Sequence, residues 1–117
     1  MSVRSDSRRF AVSGVGIDLE RRRVPSRAVR FFLNEAERQW IASVANPEPH
    51  LLRIWTIKEA LFKANPENED TILADYSLED PQRWSGRAFW NAVVFRYECA
   101  EWSGGIVTLA LALTRQT

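Results

Sequence analysis

Val15-Gly16-Ile17-Asp18-Leu19-Glu20 ends a segment, running from about Phe10, in which apolar residues alternate with small or polar ones. A period of two is the mark of a strand with two unlike faces. The alternation predicts Ile17 and Leu19 toward a core and Asp18 and Glu20 together on the opposite face. Downstream, an arginine run and Pro25 lead into 26–32, which predicts one or two helical turns. Asn34, with Glu37 three positions later, reads as a capping box that opens a helix to about Val44. Asn46-Pro47 is a second start signal. From there to Ala64, Leu51, Leu52, Trp55, Ala60, Leu61 and Phe62 recur near helical spacing, and Asn65-Pro66 stops them. The rest of the chain is β-branched or aromatic over 71–78, 86–97 and 104–114, with turns at Asp80-Pro81 and Ser103-Gly104-Gly105. A strand, then helices, then successive strands predicts an α+β domain, an antiparallel sheet packed against helices, over residues 1–117.

Composition narrows the class of protein. The chain has 117 residues, 45% apolar and 26% charged, which suits one soluble domain with a real core. The single cysteine, Cys99, permits no internal disulfide and predicts a reducing, cytoplasmic setting. No stretch approaches the roughly 20 apolar residues of a membrane span. Net charge is +1, so no strong general attraction to nucleic acid is expected. Arg4, Arg8, Arg9, Arg21, Arg22, Arg23, Arg27 and Arg30 crowd the first thirty residues, whereas Lys58 and Lys63 are the only lysines.

Two segments carry chemistry. On Gly16-Ile17-Asp18-Leu19-Glu20 two carboxylates share a strand face about 6–7 Å apart. Such groups repel unless a proton or cation joins them, and hard oxygen donors suit magnesium. The second segment is Trp55-Thr56-Ile57-Lys58-Glu59-Ala60-Leu61-Phe62-Lys63. On a helix Trp55, Glu59 and Lys63 fall on one side, with Lys58 beside them. Read alone, each has an ordinary explanation: a wetted strand face and an amphipathic helix.

Together, Gly-Ile-Asp-x-Glu followed by Trp-x-x-Lys-Glu-Ala-x-x-Lys resembles the motif pair of the 4′-phosphopantetheinyl transferase superfamily. Phe31-Phe32-Leu33-Asn34-Glu35-Ala36-Glu37 resembles that family's phenylalanine-rich segment with its downstream acid. The resemblance runs from about Val12 to Ala64. It implies magnesium-dependent transfer of the phosphopantetheine arm of coenzyme A to a serine of an acyl or peptidyl carrier protein, with release of 3′,5′-ADP. Asp18, Glu20 and Glu59 would then hold the magnesium ion, and Glu59, or a water beside it, would take the serine proton. Lys58 and Lys63 would neutralise phosphate charge as catalytic and coenzyme A-binding residues, a role suited to a compact ammonium. Trp55 would fix its helix against the first strand. The wording of the second motif resembles the C-terminal lobe of the two-lobed members, while the length is that of holo-acyl-carrier-protein synthases.

The resemblance also marks differences. The family's Ser-His-Ser-like segment is represented by Ser5-Asp6-Ser7, and its glycine-rich turn by Asn65-Pro66-Glu67-Asn68. A lone lobe implies a homo-oligomer, dimer or trimer, with Phe89, Trp90, Phe95 and Trp102 as interface candidates and Trp84 at the rim. The alternative to an enzyme is a catalytically silent lobe that binds carrier proteins. Arg21, Arg22, Arg23, Arg27 and Arg30 are expected near the mouth of the site, facing an acidic carrier. His50 is expected at the surface or as a cap, and Cys99 as packing.

Overall fold

The computed structural model describes residues 9–115; the Ser5-Asp6-Ser7 segment, Arg4 and Arg8 lie outside them. The first strand, β1 (Phe10–Glu20), has the predicted limits. A 3-10 turn (Ser26–Ala28) and a short helix α1 (Val29–Phe32) follow, then α2 (Glu35–Ser43) and the long α3 (Glu48–Ala64). A second 3-10 turn (Leu73–Asp75) leads to β2 (Ser77–Leu78), β3 (Ser85–Trp90), β4 (Val93–Trp102) and β5 (Gly105–Arg115). Every pairing is antiparallel, in the order β1-β5-β4-β3-β2, so the first strand is an edge beside the last.

The capping box forms in full. Asn34 accepts from the Glu37 amide at 3.0 Å and its own amide donates to Glu37 at 2.9 Å, an arrangement whose loss costs about 0.5–2 kcal/mol. Helix α3 starts at Glu48, and Pro49 in its first turn removes an amide that has no helical partner anyway. Ile54, Ile57, Leu61 and Phe95 are fully buried between α3 and the sheet, each contributing roughly 1.5–3 kcal/mol. The region predicted as one strand over 86–97 is instead a hairpin. It turns at Asn91, whose φ of 50° is a left-handed value that asparagine tolerates. The strand predicted over 71–78 contracts to two residues after the 3-10 turn.

The facing of β1 is the main correction to the sequence reading. Ile17 and Leu19 point away from the helices and are exposed, as are Val12 and Val15, while Gly14, Gly16 and Asp18 face α3. A bulge at Ser13 keeps Val12 and Val15 on one face across the register shift. The cause lies in the glycines. A Cβ on Gly16 would stand 2.1 Å from the Ala60 carbonyl oxygen, and one on Gly14 would stand 1.8 Å from that of Ala64. Helix α3 therefore lies backbone to backbone on β1, where no large side chain fits. The apolar alternation belongs to the outer face, where Ile17 pairs with Leu109 and Val15 with Leu111.

Candidate functional site

The close approach of α3 to β1 brings the two motif segments together. Lys63, from the last turn of α3, donates to Asp18 Oδ1 at 3.0 Å and to the Ile17 carbonyl at 3.2 Å. Asp18 is buried, and its second oxygen, Oδ2, accepts no hydrogen bond. Partial burial raises the Glu59 carboxyl above the ordinary carboxylate range; Asp18 pushes the same way, Lys63 opposes, and Glu20 adds to the rise. Asp18, Glu20, Glu59 and Lys63 thus share one field at the edge of the sheet. One level deeper, Thr56 Oγ1 meets Thr108 Oγ1 at 2.7 Å, and Thr108 is the cross-strand partner of Asp18. This bond fixes α3 at the height of the carboxylates.

Lys58 does not join this group, which corrects the expectation that it binds phosphate. Its ammonium is fully buried on the other flank of α3. There it donates to Glu37 Oε1 at 2.7 Å, to the Leu73 carbonyl at 3.3 Å and to the Tyr76 carbonyl. Desolvation lowers its pKa, and the Glu37 carboxylate beside it opposes the fall. Trp55 packs edge-on against Phe32, with ring centroids 5.1 Å apart. The closest approach of α3 to the first strand is at the two glycines of β1. Glu37, absent from the predicted site, is a buried junction whose Oε2 also accepts from the Leu78 amide at 3.0 Å.

The remaining candidates separate clearly. Phe95 is in the core, Phe89 and Trp90 are half-buried, with Trp90 stacked on Tyr76, and Trp84 and Trp102 are exposed. His50 is half-buried, bonded through Nδ1 to the Arg53 guanidinium at 3.1 Å and edge-on to Trp40. The Cys99 thiol contacts Thr108 at 3.1 Å, and burial pushes it up to about 11. Arg21, Arg22, Arg23, Arg27 and Arg30 are exposed. Arg21 donates to the Ser103 carbonyl at 3.1 Å and lies over Trp102, while Arg23 pairs with Glu48. A groove of about 420 Å³ is lined by Leu52, Trp102 and Ile106 among others, and Ile106 is the cross-strand partner of Glu20.

Residues 14–112, which hold both motif segments, match the model of the 4′-phosphopantetheinyl transferase superfamily. The chain belongs to the 4′-phosphopantetheinyl transferase superfamily. No curated protein sequence matches it. Among solved structures it is similar to the holo-[acyl-carrier-protein] synthase of Thermotoga maritima, with a TM-score of 0.68 and 20% identity. That alignment covers 91% of this chain and 66% of the other, and it shows a shared fold.

The family implies a magnesium ion, and the donor set fits one in kind. The donors are hard oxygens, one of them a buried carboxylate oxygen with no hydrogen bond. Among the described residues no three acid, histidine or cysteine side chains close tightly enough to hold a metal ion. No helix among them is long and apolar enough to cross a membrane.

Proposed function

We propose that this chain transfers the phosphopantetheine group of coenzyme A to a serine of an acyl or peptidyl carrier protein in the cytoplasm. The observation that carries the reading is the meeting of Asp18, Glu59 and Lys63 across the glycine contact, with Asp18 Oδ2 left without a partner. The serine oxygen attacks the phosphorus that bears the pantetheine arm. The bond from that phosphorus to the bridging oxygen breaks, and 3′,5′-ADP leaves. Glu59 accepts the serine proton; its raised pKa makes it a better base than an ordinary carboxylate. Lys63, half-exposed beside Asp18, turns its ammonium to the charge that develops on the leaving phosphate. Asp18, Glu20 and Glu59 would have to draw closer to hold magnesium, which would neutralise charge on the pyrophosphate. The groove beside Glu20 leaves room for an extended arm.

The exposed arginines Arg21, Arg22, Arg23, Arg27 and Arg30 suit an acidic carrier, and such docking weakens as salt screens it. The outer face of β1 and β5 carries exposed Val12, Val15, Ile17, Leu19 and Leu109. A contiguous apolar surface of this kind suits association, and we assign it to a homo-oligomer, dimer or trimer, that completes the coenzyme A cleft. A second reading, a silent lobe that only binds carriers, draws support from the ion pair in which Lys63 already engages Asp18. Incubation with coenzyme A, magnesium and an apo-carrier protein distinguishes the two readings. Transfer gives a carrier heavier by the phosphopantetheine group and an equal amount of 3′,5′-ADP. Carrier binding with neither product establishes the silent lobe.

A further inference from the structure

Burying an ion pair is costly, and apolar side chains in place of both Lys58 and Glu37 would serve stability as well. What a buried lysine adds is direction. Its three N–H groups meet three acceptors from different places: Glu37 on α2, the Leu73 carbonyl in the 3-10 turn and the Tyr76 carbonyl before β2. Glu37 is itself held by the Asn34 and Leu78 amides. Rotation of α3 would break these bonds together.

The opposite flank of α3 is fixed differently. There the glycines set how near the helix lies to β1, and the Thr56–Thr108 bond sets its height. Glu59 stands between Lys58 and Ala60, one residue from each anchor. We propose that the buried Lys58–Glu37 pair is a positioning device that sets the rotation of α3 and so holds the Glu59 carboxylate toward Asp18. The kinetic part of this inference rests on the transferase reading; the structural part does not.

The test is the double variant Glu37→Gln/Lys58→Met, in which both charges are removed at once. Removing a whole buried pair is often nearly neutral for stability, whereas Lys58→Met alone strands the Glu37 charge and should lower Tm by roughly 10 °C or more. The double variant is expected to melt near the wild type, yet to lose about tenfold to hundredfold in kcat with little change in KM for coenzyme A. A purely structural role predicts that kcat returns together with Tm. Glu37→Asp, which keeps the charge but shortens its reach, should show the same split if the double variant does not fold. Side-chain NMR distances between Glu59 and Asp18 are read on the same variants and need no turnover. Wild-type distances and wild-type kcat in a folded variant overturn the proposal. If the wild-type chain transfers nothing, the transferase reading falls and the distances alone decide.

Discussion

Helix α3 carries one lysine on each of two flanks, and the acids that meet them are treated in opposite ways. Lys58 and Glu37 are sealed from water, and all three lysine donors have acceptors. Lys63 is half-exposed, and the acid it meets keeps one buried oxygen without a hydrogen bond. The same residue types, five positions apart, make a finished junction on one side and a site with unused bonding capacity on the other. Completeness of hydrogen bonding, more than burial or charge, separates architecture from chemistry here.

The contrast breaks most visibly at Glu59. Glu59→Ala should lower phosphopantetheine transfer by about 10²–10⁴-fold, the usual worth of a general base. Its side chain fills no part of the core, so thermal unfolding should stay close to wild type. Substantial turnover by this variant would assign the base elsewhere. The two lysines sharpen the comparison next. Lys58→Met should cost about 3–5 kcal/mol, because the Glu37 charge is stranded in the core. Lys63→Met should cost about 1 kcal/mol or less, since the lysine is half-exposed and water reaches Asp18 once it leaves. Equal losses in denaturant titrations would erase the distinction between the flanks.

Gly16→Ala probes the contact that joins the motifs. Its Cβ must displace the Ala60 carbonyl, for a cost of about 1–3 kcal/mol, and Glu59 should move from Asp18 as α3 is pushed off. Unchanged stability and unchanged transfer would show that the helix does not rest on this glycine. The smallest effect is one of pH. The folded chain holds the Glu59 proton above the ordinary value of 4.5, so the native state binds more protons than the unfolded one in that window. Stability contributed by the group is therefore lost as pH rises through it. With a chelator present, Glu59→Gln should be more stable than wild type at pH 7. The difference should disappear below about pH 4. A constant difference across that range would mean that Glu59 is not under strain from burial and from Asp18 and Glu20.

Much of this was legible in the sequence where local chemistry writes it down. Alternation gave the limits of β1, and Asn34 with Glu37 gave the start of α2. Of the motif residues, Lys63 bonds Asp18 and Glu59 lies within the field of both. The facing of β1 was not legible by hydropathy, because glycine carries no apolar signal and a helix backbone takes the place of core side chains. Lys58 was misplaced although its spacing held the warning: five residues turn a helix by about 140° relative to Lys63. Glu37 was read as a cap and as the end of the phenylalanine-rich segment, and neither reading tells that its carboxylate will also meet a lysine from another helix. The β3–β4 turn went unseen because Asn91-Ala92 lacks the glycine that marks the β4–β5 turn.

The seating of α3 on Gly14 and Gly16 has a bearing on how this chain can be altered. Where side chains separate two elements, every repacking of the core shifts the gap between them. Here the gap is a ruler made of main-chain atoms, identical whatever residues fill the interior. Swaps among Ile54, Ile57, Leu61 and Phe95 can therefore drift, by evolution or by an engineer seeking heat tolerance, while the separation of Asp18 and Glu59 stays calibrated.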